Sequence, residues 1–229
     1  MYRPTSYTYA KNTNILKDKA SVSYKQVLIY GCGGHSRAIT DVLISCYEDI
    51  TITYIDESAK DGETLFGFPV FRKVQKSETP IFFAIGDNQK RKDKYEQIGS
   101  DRLISICSPK AHIALGSELG KGVFIGNFAH VGPQAKIGNN TILSSGSNVE
   151  HESVIGNHSH VGSRAVVSGR CKVGDIVIIG VNAVIKDYVS ICSNVIIGAG
   201  AVVVKNITEP GVYRGCPATL IKPKQLNNL

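Results

Sequence analysis

The chain has 229 residues, 42% hydrophobic and 20% charged, with 23 glycines and no tryptophan. It is long enough to bury a core as one large domain or two small ones, and its glycine and β-branched content points to turns and strands. It holds no charged-then-apolar leader and no apolar run near ~18 residues, so neither secretion nor a membrane span is expected and the cytoplasm is the default compartment. The net charge of +7 does not argue for nucleic acid. Residues 1–25 hold Arg3, Lys11, Lys17, Lys19 and Lys25 against Asp18, so a basic arm rather than a clustered patch carries over half of it. The cysteines Cys32, Cys46, Cys107, Cys171, Cys192 and Cys216 form no CxxC pair and read as reduced thiols, not disulfides or zinc ligands.

Residues 1–25 are polar and unpatterned, which predicts a flexible arm. The apolar run Val27–Tyr30 predicts a strand, 31–34 a glycine turn, 37–46 a helix and 52–55 a second strand, a βαβ opening. Residues 81–85 predict another strand, about 90–98 a basic helix and 103–107 a last strand. Together these give an α/β Rossmann-like domain over 26–108. Its turn reads Gly31-Cys-Gly-Gly34 but has Ser36 at the place of the third glycine, a weak dinucleotide signature. Such a turn still sets backbone N–H groups and a helix N-terminus against a phosphate, with Gly33 in the turn, His35 able to donate to a sugar or phosphate oxygen, and Asp56 or Glu57 available to a ribose or base. A turn that binds nothing is the alternative.

From Ile113 to Val203 every sixth residue, 16 in all, is Ile, Leu or Val. The residue two earlier is small or β-branched, as at Ala129, Ala135, Thr141, Ser147 and Ser153, and the residue after is often glycine, as at Gly120, Gly126, Gly132 and Gly138. A period of six fits neither helix nor simple strand. It predicts a left-handed parallel β-helix over 109–206, in which each hexapeptide makes a flat strand and a corner and three complete a coil. Residues 207–229 are expected to form a C-terminal loop and tail.

The glycine gives way at Ser144, Glu150 and Ser168, and Asn148-Val-Glu-His-Glu-Ser153 puts polar groups at a corner. His151 there should point outward, with Glu152 beside it to orient the imidazole and raise its basicity, the arrangement a general base needs. A histidine that caps a corner is the alternative. Asn157, His158, Ser159 and His160 form a second polar cluster, but no third ligand arrives at a matching spacing and no metal is expected.

A short GxxGH-type domain, uninterrupted hexapeptides, the segment Val149-Glu-His-Glu-Ser-Val-Ile-Gly156 and a closing Gly215-Cys-Pro-Ala218 together resemble the sugar O-/N-acyltransferase family. That family includes PglD-type acetyltransferases of nucleotide-linked 4-amino-dideoxy sugars and NeuD-type sialic acid O-acetyltransferases. The resemblance covers about residues 26–222. It implies a homotrimer with acetyl-CoA in the groove between neighbouring β-helices. His151 would be the base and Glu152 its partner, with His160 near the thioester, the Gly169 amide near its oxygen, and Gly180, Val181 and Gly198 along the pantetheine. A nucleotide-linked amino sugar would hang from Gly33, His35 and Asp56, with Asp87 and Asn88 as further contacts. His35-Ser36-Arg37 departs from the His-Gly of PglD-like chains towards the Ser-basic pair of NeuD-like ones, which bears on the acceptor. The chemistry implied is direct transfer to an amine through a tetrahedral intermediate, without an acyl-enzyme. Sialic acid O-acetylation and a non-catalytic nucleotide-sugar-binding scaffold are the competing functions.

Overall fold

The computed structural model describes residues 24–73 and 78–223, so residues 1–23 of the arm lie outside the described residues. The first unit contains β1 (Gln26–Tyr30), α1 (Gly34–Cys46), β2 (Thr51–Ile55), β3 (Thr64–Leu65), β4 (Phe68–Phe71), β5 (Ile81–Phe83) and α2 (Asn88–Ile98). Its sheet runs β3-β4-β2-β1-β5, with β1 parallel to both β2 and β5. The central run Val27–Tyr30 is buried throughout, as a parallel strand covered on both sides requires. The β3–β4 hairpin has no counterpart in the sequence reading. Its two-residue turn is Phe66-Gly67, both left-handed at φ 53° and 81°, and a phenylalanine where Asn or Asp usually stands hides the signal.

The predicted last strand at 103–107 is divided between the two units. Leu103 bridges to Ile81 of the first sheet, whereas Ile106–Cys107 pairs with Phe124–Ile125 and opens the solenoid. From there strands of mostly two residues pair in parallel with partners 18 residues on, as in His130↔Asn148, Lys136↔Val154 and Ile142↔His160. Three flat faces result. The first carries Phe124, Ile142, His160 and Ile178 at outward positions, the second His112, His130, Asn148, Val166, Val184 and Val202, the third Glu118, Lys136, Val154, Lys172 and Ser190. Past residue 206, where a loop was expected, Gly211–Arg214 extends the first face in parallel and Thr219–Pro223 returns antiparallel to it.

The aliphatic register fills the prism: all fourteen members from Ile125 to Val203 are buried, and Ile113 and Leu119 pack against them. The glycine that follows them serves stacking rather than turning. A Cβ on Gly132 would stand 2.6 Å from His151 N, and one on Gly138 2.6 Å from the Gly156 carbonyl carbon, so coils at β spacing leave no room for a side chain. The left-handed residue lies two positions further on and is mostly not glycine, as at Gln134 (φ 60°), Glu152 (58°), His158 (55°) and Arg170 (59°). Each such corner costs about 1 kcal/mol. Ladder bonds hold it: the Glu152 N–H donates to Pro133 O at 2.9 Å, the Arg170 N–H to His151 O at 3.0 Å.

The first unit sits on the first face. Phe124 and Ile142 belong to the same apolar cluster as Val27, Ile39, Ile52 and Phe82, so the two units share one core. Among the described residues no helix is long and apolar enough to cross a membrane.

Candidate active site

His151 lies at the corner after the second face and points outward, half-exposed. The position one coil on is Gly169, and a Cβ there would stand 2.6 Å from His151 Cε1 and Nε2. The imidazole therefore lies over Gly169, and only glycine admits it. Nδ1 of His151 is 3.1 Å from Glu152 Oε2. A carboxylate at that distance favours the tautomer protonated at Nδ1 and leaves Nε2 as the free acceptor. Glu152 also pairs with Arg170 Nη2 at 2.8 Å. Its bond to His151 first, then that to Arg170, holds its carboxyl below the usual range. Beside them Asn148 Nδ2 donates to Glu150 Oε1 at 2.9 Å.

Gly180, Val181 and Gly198 fall at the corner after the first face, so within one chain the second face separates them from His151. A Cβ on Gly180 would stand 2.5 Å from Ala199 N and one on Gly198 2.7 Å from Arg214 Cγ. Coil stacking alone thus requires Gly180, whereas Gly198 is closed over by the Arg214 side chain, and Val181 is exposed.

His160 is not beside His151 but on the first face, under the N-terminal unit. Its Nε2 is 2.9 Å from Ser144 Oγ, and its ring centre is 6.2 Å from that of His35. His35 packs edge-on against Phe124 at 5.1 Å, and its Nε2 is buried without a hydrogen-bond partner. The sequence placed His35 at an open helix start; Gly33 and Gly34 there are exposed, but the His35 ring is turned inward against the solenoid. Burial first, then the nearby Arg91 and, for His35, His160, pushes the two imidazoles down to about 3 for His35 and about 4 for His160. Both are neutral.

The remaining residues divide by task. Gly33 is the N-cap of α1 and has open space where a Cβ would be, as have Gly34 and Gly86. Asp56 accepts from Cys32 N at 3.1 Å, Ser58 N at 2.9 Å and Ser58 Oγ at 2.6 Å, and the Ser58 hydroxyl foremost keeps its carboxyl below the usual range. Glu57, exposed, accepts from Tyr30 Oη at 2.7 Å and Lys94 Nζ at 2.9 Å. Asp87 caps α2 through Lys90 N, and Asn88 donates to Val177 O on the solenoid.

The sequence reading missed Arg91, which is fully buried. Its guanidinium donates to Ile85 O at 2.8 Å, Asn88 Oδ1 at 2.7 Å, Asn140 O at 3.0 Å and His158 O at 3.0 Å, joining the loop after β5 to the corner after the third face. A single arginine in the basic stretch Lys90–Lys94 carries no mark of this. Among the described residues no cluster of three His, Cys, Asp or Glu could hold a metal ion.

Residues 26–98 match the PglD N-terminal domain, and residues 116–151 match the bacterial transferase hexapeptide (six repeats). The chain thus joins an N-terminal α/β unit similar to the PglD N-terminal domain to a left-handed parallel β-helix of hexapeptide repeats. Among solved structures, the acetyltransferase domain of PglB from Neisseria gonorrhoeae in complex with acetyl coenzyme A is 22% identical over 87% of this chain and 100% of that one, with a TM-score of 0.80. PerB from Caulobacter crescentus, in complex with CoA and GDP-perosamine, is 26% identical over 86% of this chain and 97% of that one, with a TM-score of 0.77. A histidine-to-alanine variant of the Caulobacter crescentus GDP-perosamine N-acetyltransferase, with the same two ligands, is 26% identical over 86% of this chain and 96% of that one, with a TM-score of 0.78. No curated protein matches the chain.

Proposed function

We propose that the protein transfers acetyl from acetyl-CoA to the 4-amino group of a nucleotide-linked 4-amino-4,6-dideoxy sugar used in surface glycan synthesis. The observation that carries this reading is the His151 imidazole, seated on Gly169 and backed by Glu152 with Nε2 free. The likeness to a GDP-perosamine N-acetyltransferase with CoA supports the donor and the acceptor class. Acetyl-CoA supplies the acetyl group as a thioester. His151 Nε2 takes the proton from the attacking amine, and Glu152 stabilises the imidazolium that forms. Among the described residues the Gly169 N–H donates to no other group, which leaves it for the developing oxyanion. Gly180, Val181 and Gly198 would line the pantetheine, and His160 would reach the thioester end. Gly33, Asp56, Glu57 and Asp87 would surround the nucleotide-sugar, with His35 and Asn88, packed against the solenoid, forming the floor behind them.

A homotrimer acting in the cytoplasm completes the proposal. The outward ladder of the second face holds no Lys, Arg, Asp or Glu, unlike the third with Glu118, Lys136 and Lys172. Such a face suits an interface between copies, and there the first corner of one copy would meet the second corner of another. The test is release of free CoA thiol with a panel of GDP-, UDP- and dTDP-linked 4-amino sugars against free and CMP-linked sialic acid. Turnover with one of the amino sugars is expected. Turnover with sialic acid alone would move the assignment to O-acetylation, and no release with any acceptor would leave a binding scaffold.

A further inference from the structure

We propose that Arg170, braced by Tyr188, is a positioning residue that holds the Glu152 carboxylate against His151 and so fixes the tautomer of the base. The inference rests on the reading of His151 as the proton acceptor. Glu152, Arg170 and Tyr188 occupy the same left-handed position in three successive coils, at φ 58°, 59° and 63°. Stacking brings their side chains into one column on the outside of the corner. Arg170 Nη2 is 2.8 Å from Glu152 Oε2, and Nη1 donates to Tyr188 Oη at 2.8 Å. The guanidinium lies over the Tyr188 ring, 5.5 Å from its centre. One carboxylate oxygen, Oε2, therefore meets both Arg170 and His151 Nδ1.

Stability does not account for this column. An exposed ion pair contributes little to folding, and Glu and Tyr stand where the backbone would accept Asn or Gly at less strain. The corner after the first face varies at the equivalent left-handed positions, with Gly146, Asn182 and Gly200 as well as Phe128 and Arg164, so the fold accepts the less strained residues there. What the column does supply is direction. Glu152 and Arg170 are both substantially exposed, and a lone glutamate there would sample several rotamers. Anchored at one end by Arg170 and Tyr188, it presents Oε2 to Nδ1, and a carboxylate facing Nδ1 selects the Nδ1–H form. In water a neutral histidine prefers its proton on Nε2, the atom that must be free for the acceptor amine.

The full-length protein with ¹⁵N-labelled histidine tests this, with His151→Gln used to assign the His151 ring. In the neutral ring we expect a mainly Nδ1-protonated signature for the wild type, a shift towards Nε2 protonation in Arg170→Met, and an intermediate signature in Arg170→Lys. Tyr188→Phe, which keeps the ring and removes the hydroxyl, should shift it less in the same direction. Turnover should fall about 10-fold in Arg170→Met, with KM for acetyl-CoA within about twofold, and recover in part in Arg170→Lys. An unchanged tautomer signature in folded Arg170→Met overturns the proposal. Because the spectrum reads the free protein, a shifted tautomer in a chain that transfers no acetyl group would overturn the function while leaving the positioning of the imidazole intact.

Discussion

The corners after the second and third faces carry equally polar sequence, His151-Glu152 on one and Asn157-His158 on the other, yet their surroundings are opposite. At the third corner the side chains serve their own backbone and the neighbouring unit. Lys121 N donates to Asn139 Oδ1, Asn139 N to Asn157 Oδ1, and Asn157 N to Asp175 Oδ1, at 2.8, 2.9 and 2.6 Å. His158 packs edge-on against Tyr95 at 5.1 Å, and its Nδ1 is 2.9 Å from Asn140 Nδ2. At the second corner the position below His151 is Pro133, with no N–H, and the one above is Gly169, with no side chain. No side chain at this position accepts from the N–H of the neighbouring coil, and an imidazole with a free nitrogen stands in the open. Polar residues at a solenoid corner are thus ambiguous until the residues 18 before and after them are considered.

Gly169→Ala would break the contrast most sharply. Its Cβ would occupy the place of the His151 ring, so turnover should fall about 10²-fold through misplacement of the base, while thermal unfolding changes little because the side chain lies outside the prism. Arg91→Met acts on the closed corner instead. It leaves Asn140 O and His158 O without their donor, and the cost should be on the order of 3 kcal/mol in urea unfolding, with a raised KM for the nucleotide-sugar and little change for acetyl-CoA. Unaltered stability in Arg91→Met would contradict its role in joining the two units. A smaller effect comes from pH. His35 and His160 are held neutral at about 3 and about 4 against an ordinary value of 6.5, so as pH falls below 6.5 the unfolded chain binds more protons than the folded one. Their contribution is complete above that value and is lost as pH falls towards 4 and then 3. His158, lowered mainly by burial, acts in the same direction. Denaturation midpoints should drop between about pH 7 and about pH 4, and His160→Asn should flatten the slope; an identical slope in that variant would show that the buried ring does not govern it.

The solenoid was legible because its signal is repeated: a residue that must point into the prism recurs every six positions, and the chain register follows from it. The glycine column was visible but its cause was not, since contact between coils is formed by residues 18 apart. The left-handed column escaped notice because Gln134, Glu152 and Arg170 occupy places that would announce themselves only as Gly or Asn. At the candidate site, the loss of glycine at Glu150 marked the corner where His151 and Glu152 meet. What the sequence could not convey was depth. His35 and His160 look like exposed polar residues in the chain, yet they lie where the two units cover each other, and Arg91 gains its role only from carbonyls of a distant coil.

Whether His151 is the base of an acetyl transfer is tested by the turnover of His151→Ala with acetyl-CoA and the preferred nucleotide-linked amino sugar, followed as free thiol. Turnover should fall about 10²–10⁴-fold with CoA affinity nearly intact. Turnover near the wild-type rate would contradict that role.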